Sequence, residues 1–162
     1  MENEHLKLLV EELANRVGGE IEESEEALIL KIAASRVLET LAEAKNFPEV
    51  PCDFLHDLCG LDMGDHFLVV YQLSSLRGTQ SLRLKAVVDR DDPVINSVTG
   101  LWPGADYLER EAFDLFGIEF LGHPNLTRIY LWEGFEGFPL RKDYVTEPAE
   151  VRDTVRWQRK GE

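Results

Sequence analysis

The stretch Gly104–Tyr144, GADYLEREAFDLFGIEFLGHPNLTRIYLWEGFEGFPLRKDY, decides how the rest of the chain is read. Its first half predicts a helix. Asp106 is placed to cap the first turn, with Glu109 three residues on, where a capping box wants its carboxylate. Leu108, Ala112, Leu115 and Phe116 recur at helical spacing and face a core. Arg110, Glu111 and Asp114 fall on the other side, Arg110 and Asp114 one turn apart, and read with Glu109 as a surface ion-pair network. Gly117 ends the helix. Ile118–Leu121 is short and extended, and Gly122-His123-Pro124 is a turn. From Asn125 to Tyr144 neither a helical nor a strand period survives, although Ile129, Tyr130, Leu131, Trp132, Phe135 and Phe138 are all apolar. An irregular aromatic segment of this length is poorly suited to bare solvent. It is expected to lie over its own sheet, over a partner protein, or over both.

Working back from that stretch, Glu2–Val17 carries an apolar stripe of Leu6, Leu9, Val10, Leu13 and Val17 and ends at Gly18-Gly19. Glu20–Glu23 and Ala27–Ile32 read as strands around a Glu-Ser-Glu-Glu turn. Ser35 is the expected N-cap of a second helix, with Val37, Leu38, Leu41 and Ala42 inward and its end near Asn46. Val50–Leu61 reads as a third strand region. His66–Ser74 and Gln80–Asp89 read as an antiparallel hairpin joined by Ser75–Thr79, with Leu82, Leu84, Ala86 and Val88 on one face. Asp91-Asp92-Pro93 reads as a turn and Ile95–Thr99 as one helical turn. The pattern αββα, strands, helix, irregular segment predicts an α+β fold. The expected form is a single domain with a mostly antiparallel sheet, helices packed on one face and an irregular C-terminal extension. Residues 1–144 form the domain in this reading. Residues 145–162, with Arg152, Arg156, Arg159 and Lys160, form an extended tail that orders on a partner.

At 162 residues the chain is one domain long, and no run approaches the roughly 20 apolar residues of a membrane span. Met1–Glu4 is too acidic for a signal peptide, and lipidation motifs are absent, so a cytoplasmic location is expected. Two cysteines, Cys52 and Cys59, are too few for an iron–sulfur cluster held by this chain alone and wrongly spaced for CxxC, so both read as buried free thiols. The net charge of −14 argues against nucleic acid and anionic lipid as direct partners. That charge is uneven: residues 1–122 hold 24 acidic and 10 basic side chains, whereas residues 123–162 hold seven of each. The balanced, aromatic C-terminal part is therefore the better surface for protein contact. The three tryptophans, Trp102, Trp132 and Trp157, fall in or near this half and are of the type that anchors interfaces. No GxGxxG, GxxxxGK[ST], GxSxG or HExxH pattern occurs, so no nucleotide, flavin or hydrolytic site is expected. His123, in a turn, reads as a hydrogen-bonder rather than a catalyst, and Arg141-Lys142 as a salt-bridging pair for a partner's carboxylate.

Five blocks in order carry a resemblance: Glu109-Arg110-Glu111, Asp114-Leu115-Phe116-Gly117-Ile118, Gly122-His123-Pro124, Arg128-Ile129 and Pro139-Leu140-Arg141-Lys142-Asp143-Tyr144. Together they resemble the signature of the C-type subunit of NADH:quinone oxidoreductase, the 30-kilodalton family of respiratory complex I. Thr127 stands where the family usually has Lys or Arg, and Phe138 where many members have His or Trp. The resemblance implies a non-redox accessory subunit of the cytoplasmic arm of a proton-pumping, membrane-attached complex. Such a chain packs against the quinone-site (D-type) subunit and against iron–sulfur subunits of the B and I types. It holds no cofactor itself, FMN and iron–sulfur clusters residing in the partners, and it is not catalytic in isolation. The resemblance also implies that Glu109, Arg110, Glu111, Asp114, His123, Pro124, Arg128, Pro139, Leu140, Arg141, Lys142, Asp143 and Tyr144 mark the packing surface. The same superfamily offers an alternative: the equivalent subunit of a membrane complex fed by hydrogen, formate, ferredoxin or deazaflavin.

Overall fold

The computed structural model describes residues 2–23, 28–49, 51–76 and 81–145. Helix α1 (Glu2–Val17) leads into strands β1 (Glu20–Glu23) and β2 (Leu28–Ala33), then helix α2 (Val37–Lys45). Three long strands follow, β3 (Phe54–Asp62), β4 (His66–Ser74) and β5 (Ser81–Asp89). A short strand β6 (Val94–Asn96), helix α3 (Ala105–Phe116) and strand β7 (Glu119–Leu121) complete the regular structure. The main sheet runs β1-β2-β5-β4-β3, and β6-β7 make a second, two-stranded sheet. All pairs in the main sheet are antiparallel except β2–β5, where Leu28–Ala33 lies parallel to Leu82–Val87.

One face of this sheet and the apolar stripes of all three helices form a single core. Leu6, Leu9, Val10 and Leu13 of α1, Val37, Leu41 and Ala44 of α2 and Ala112 and Phe116 of α3 meet alternate residues of the central strands, among them Phe67, Val69, Tyr71, Leu82, Leu84 and Val88. Strand periodicity sorts the opposite set, Arg83, Lys85 and Val87, to the half-buried outer face. Gly60 is required where α3 crosses β3: a Cβ there would stand 2.8 Å from the Phe116 ring.

The α+β architecture, with helices on one face, matches the expectation from sequence, and several local expectations do not. The second helix starts at Val37 after a 3₁₀ turn over Ala34–Arg36, and its cap position, Arg36, makes no side-chain cap bond, so Ser35 is not the N-cap. Its buried stripe is Val37, Thr40, Leu41 and Ala44, an i, i+3, i+4, i+7 set that leaves Leu38 pointing out at 41% exposure. The third strand begins at Phe54, because Cys52 N–H is still donated to the Ala44 carbonyl. Cys52 is buried but Cys59 is exposed, on the outer face of β3. The helical turn expected over Ile95–Thr99 is instead strand β6, paired parallel with Glu119–Leu121. Its ladder partner is supplied by residues more than twenty positions later, which local periodicity does not register. The rest of the Glu-Ser-Glu-Glu turn after Glu23 with Ala27, residues 77–80, Val50 and the tail beyond Val145 lie outside the described residues.

Gly117 closes α3 in the left-handed conformation, at φ +71°, as expected of a C-terminal cap. A Cβ there would also sit 2.5 Å from the Phe138 ring and 2.7 Å from Arg141 Nη2. Gly117→Ala is expected to cost at least about 1–2 kcal/mol from backbone strain alone. It should also displace Phe138, seen as a lower urea midpoint with altered near-ultraviolet dichroism. An unchanged midpoint would show that the segment around Phe138 is not seated as described.

Candidate docking surface: the C-terminal strap

Residues 123–145 contain no regular element, yet they are fixed to the body by carboxylates that the body buries. Glu109 and Asp114 of α3 are both buried, each with no exposed surface. Asp114 Oδ2 accepts the backbone N–H groups of Ile129 (2.9 Å), Tyr130 (2.7 Å) and Leu131 (3.1 Å). The Arg128 guanidinium lies 3.5 Å from its other oxygen. Burial opposes the Asp114 charge, but the three N–H groups and Arg128 outweigh it and hold this carboxyl below its ordinary value. Four consecutive strap residues thus converge on one side chain.

A second clamp lies at the end of β3. Asp62 Oδ1 accepts from Arg90 Nη1 (2.7 Å) and Gly64 N–H (2.8 Å), and Oδ2 accepts the backbone N–H of Lys142 (2.8 Å). Arg90 Nη2 reaches Asp143 at 3.0 Å. Burial again opposes the charge, and these donors overcome it, holding the Asp62 carboxyl at about 2. A third tie is Arg141, whose Nε donates to the Phe116 carbonyl (2.5 Å) at the C-terminus of α3, where unsatisfied carbonyls collect.

Between the clamps, rings and guanidiniums alternate. Arg141 lies over both Phe67 (5.0 Å) and Phe138 (4.6 Å), Arg128 over both Phe138 (5.3 Å) and Phe135 (6.0 Å), and Phe135 meets Trp132 edge to face at 4.8 Å and stacks on Tyr144 at 6.1 Å. The strap's outer side presents Tyr130, Trp132, Leu140 and Val145 to solvent. The surface is therefore aromatic, ordered from beneath and open above.

The first half of the α3 surface is differently built. Glu109 Oε1 accepts the N–H of Val98 at 2.7 Å, while Oε2 has no partner among the described residues. Burial pushes this carboxyl up, partly offset by Val98, Ser97 and His123. The sign for stability is that of a raised acid: its contribution is complete below the ordinary glutamate value and is lost as pH rises through the higher folded value. Glu109→Gln keeps an acceptor for Val98 without the buried charge. Its thermal stability at pH 8 is expected to equal or exceed that of the unaltered chain, with a flatter alkaline limb; a fall of several degrees at pH 8 but not at pH 5 would mean that the charged form is the one the fold needs. His123 Nδ1 accepts the Asn125 N–H (3.0 Å), leaving Nε2–H to donate to the Asp106 carbonyl (3.2 Å). Both ring nitrogens are thereby occupied in shaping the turn. Among the described residues no group of three or more His, Cys, Asp or Glu could hold a metal ion.

The chain has counterparts among known proteins. Residues 30–150 match the family model described as the respiratory-chain NADH dehydrogenase 30 Kd subunit. The chain belongs to that family. It is 44% identical over 119 residues to the second C-type NADH-quinone oxidoreductase subunit of Rhizobium etli (strain CIAT 652), covering 72% of this chain and 63% of that one. The match thus spans somewhat less than two thirds of the Rhizobium protein's length. The chain is 43% identical over 135 residues to the C-type subunit of Roseiflexus sp. (strain RS-1), covering 82% and 78%. A solved trypsin-resistant fragment (1-134) of Nqo5 superposes with a TM-score of 0.67 at 35% identity, covering 75% of this chain and 99% of the fragment.

The signature residues of this 30-kDa family member divide into two groups. Glu109, Asp114, Arg128 and Arg141 are directed inward, the last two between rings of the aromatic ladder. Arg110 donates from Nε and Nη2 to the Thr127 carbonyl (3.0 Å) and hydroxyl (2.8 Å), and lies 3.8 Å from Asp106. Glu111 accepts from the exposed Tyr130 hydroxyl (3.2 Å). Pro124, Leu140, Lys142 and Asp143 are exposed, and Pro139, Tyr144 and His123 are half-buried. Among the described residues the expected capping box on α3 and the ion-pair network of Glu109, Arg110, Glu111 and Asp114 therefore do not form, and Arg110 lies beside Asp106 instead. Gly104 occupies the cap position without a side-chain bond, Asp106 lies inside the first turn, and burial of Glu109 and Asp114 redirects their charges to backbone donors. The Arg141 guanidinium, offered by sequence to a partner's carboxylate, is used within the chain. Neither Asp62 nor Arg90 was among the site residues expected from sequence, although Gly60-Leu61-Asp62 resembles the family's strand-ending turn. The one available signal was an aspartate closing a hydrophobic strand before a Met-Gly turn. The two departures from the family pattern have local roles here: Thr127 receives Arg110, and Phe138 fills the ladder between two arginines.

Proposed function

We propose that this chain is a non-redox docking subunit of the peripheral arm of a proton-pumping NADH:quinone oxidoreductase. In this reading it packs against the quinone-site (D-type) subunit and the adjacent B- and I-type iron–sulfur subunits on the cytoplasmic side of the membrane. Electrons pass from NADH through FMN and clusters held by those partners to quinone, and this chain fixes the distances between them. The observation that carries the reading is the strap: a segment without regular structure, pinned by the buried carboxylates of Asp114 and Asp62, that turns Tyr130, Trp132 and Leu140 outward. Ordered exposed aromatics of this kind favour a protein partner over a small ligand. No helix among the described residues is long and apolar enough to cross a membrane, which suits a peripheral position.

The test is affinity purification of the tagged full chain from detergent-solubilised membranes of its own cells, with mass spectrometry of co-purifying proteins. Recovery of flavin-, cluster- and quinone-site subunits supports the proposal. A nickel-site large subunit would move the chain to the related hydrogen- or formate-fed complexes. Recovery of the chain alone would remove the docking reading.

A further inference from the structure

The aromatic ladder begins in the core and ends in solvent. Phe67 is fully buried, and outward from it come Arg141, Phe138, Arg128, Phe135 and Trp132, with each guanidinium over a ring on either side. At the outer end the alternation stops: Trp132 is 69% exposed, and its edge-to-face contact with Phe135 (interplanar angle 85°) leaves at least one indole face bare. Every inner ring of the ladder has a cation over it, whereas Trp132, the strongest cation–π acceptor of the set, has none among the described residues. Two carboxylates stand beside it in the chain. Glu133 follows directly and Glu136 comes after the turn in which Phe135 N–H is donated to the Trp132 carbonyl (3.1 Å). Both are exposed, and neither makes an ion pair among the described residues.

We infer that the outer end of this ladder is a receptor for a cationic side chain of a partner protein, an arginine by preference, laid on the Trp132 indole and bonded to Glu133 or Glu136. The inference rests on the docking function proposed above and names the chemistry of the partner at this spot. Arginine fits better than lysine because its planar guanidinium stacks on a ring while its fork of N–H donors reaches a carboxylate. The strap is rigidified from below by Asp114 and Asp62, so the indole is presented without the ordering cost that weakens a flexible hot spot.

The test uses the assembled complex. Trp132→Leu, which keeps apolar bulk but removes the π face, is expected to lower recovery of intact complex roughly three- to tenfold, with Trp132→Phe intermediate. The double change Glu133→Gln/Glu136→Gln should lower it in the same direction. Because Trp132 is exposed, the purified variants should keep the melting temperature of the unaltered chain. In parallel, a photoreactive benzoylphenylalanine at position 132 should cross-link, in the assembled complex, to a partner peptide with an arginine or lysine within two residues of the attachment. Cross-linking only to peptides without a nearby cation would overturn the inference, as would full recovery with Trp132→Leu. If Tyr130→Ser or Leu140→Ser disrupts the complex while Trp132→Leu does not, docking stands and the cation receptor falls. If the unaltered chain recovers no partner, the docking reading itself fails.

Discussion

Asp114→Ala is expected to be the most damaging substitution of an ionisable residue in this chain, costing about 3–5 kcal/mol. The size follows from the geometry. One fully buried carboxylate oxygen receives three consecutive backbone N–H groups, and Arg128 is its charge partner. Removing it leaves those donors and a largely buried guanidinium uncompensated, the costly half of a broken pair. Amide exchange should report the loss first at Ile129, Tyr130 and Leu131, before the sheet amides, because the strap has no ladder of its own. The melting temperature should fall by roughly 10 °C or more. Asp114→Asn, which keeps an acceptor oxygen without charge, should lie between. Unchanged exchange at the three amides in Asp114→Ala would show that something other than this carboxylate seats the strap.

The second large effect is at Asp62 and is a matter of pH. Its carboxyl falls from the ordinary 3.8 to about 2 because Arg90 and the N–H groups of Lys142 and Gly64 outweigh its burial. A depressed acid contributes stability that is complete above its unfolded value and lost as pH falls through the folded one. The contribution, on the order of 2 kcal/mol, is thus present at neutral pH and disappears between roughly pH 4 and pH 2. Asp114 shifts in the same direction and steepens the same acid limb. Asp62→Asn should therefore be less stable than the unaltered chain by about 2–3 kcal/mol at pH 7, and the two should converge near pH 2. Denaturant midpoints at pH 7, 4 and 2 measure this. A gap that stays constant down to pH 2 would mean that Asp62 acts through packing and not through its charge. The same substitution frees Arg90 from its buried partner and leaves it the exposed Asp143, so the strap should loosen around Lys142 as well.

Both predictions turn on carboxylates whose burial was invisible in the linear pattern. On a helical projection Asp114 sits among Arg110 and Glu111 and reads as solvent-facing. Only the return of residues 129–131 over α3 makes its position an interior one. Glu109 was legible as an N-terminal acid, yet the loop before α3 closes over it and directs it to Val98. β6 failed for the same reason: three residues after a proline carry no usable period, and its partner β7 lies beyond a whole helix. The long hairpin β4–β5 and the stripe on α1 were legible because their patterns repeat for two turns or more, and burial of an alternating face does not depend on which neighbour covers it.

The sequence by itself determined the α+β class, the helix-bearing face of the sheet, the end of α3 at Gly117 and the family to which the signature blocks belong. These follow from periodicity, from the one residue type that favours a left-handed cap, and from motif order, all of which are local or additive along the chain. The tertiary structure alone decided which charges are interior, that Arg128 and Arg141 intercalate between rings, and that an aperiodic strap becomes an ordered surface with Trp132 at its tip. Those outcomes depend on desolvation and on contacts between residues far apart in sequence. A charged side chain is then placed by where its donors arrive, which no pattern around the residue itself records.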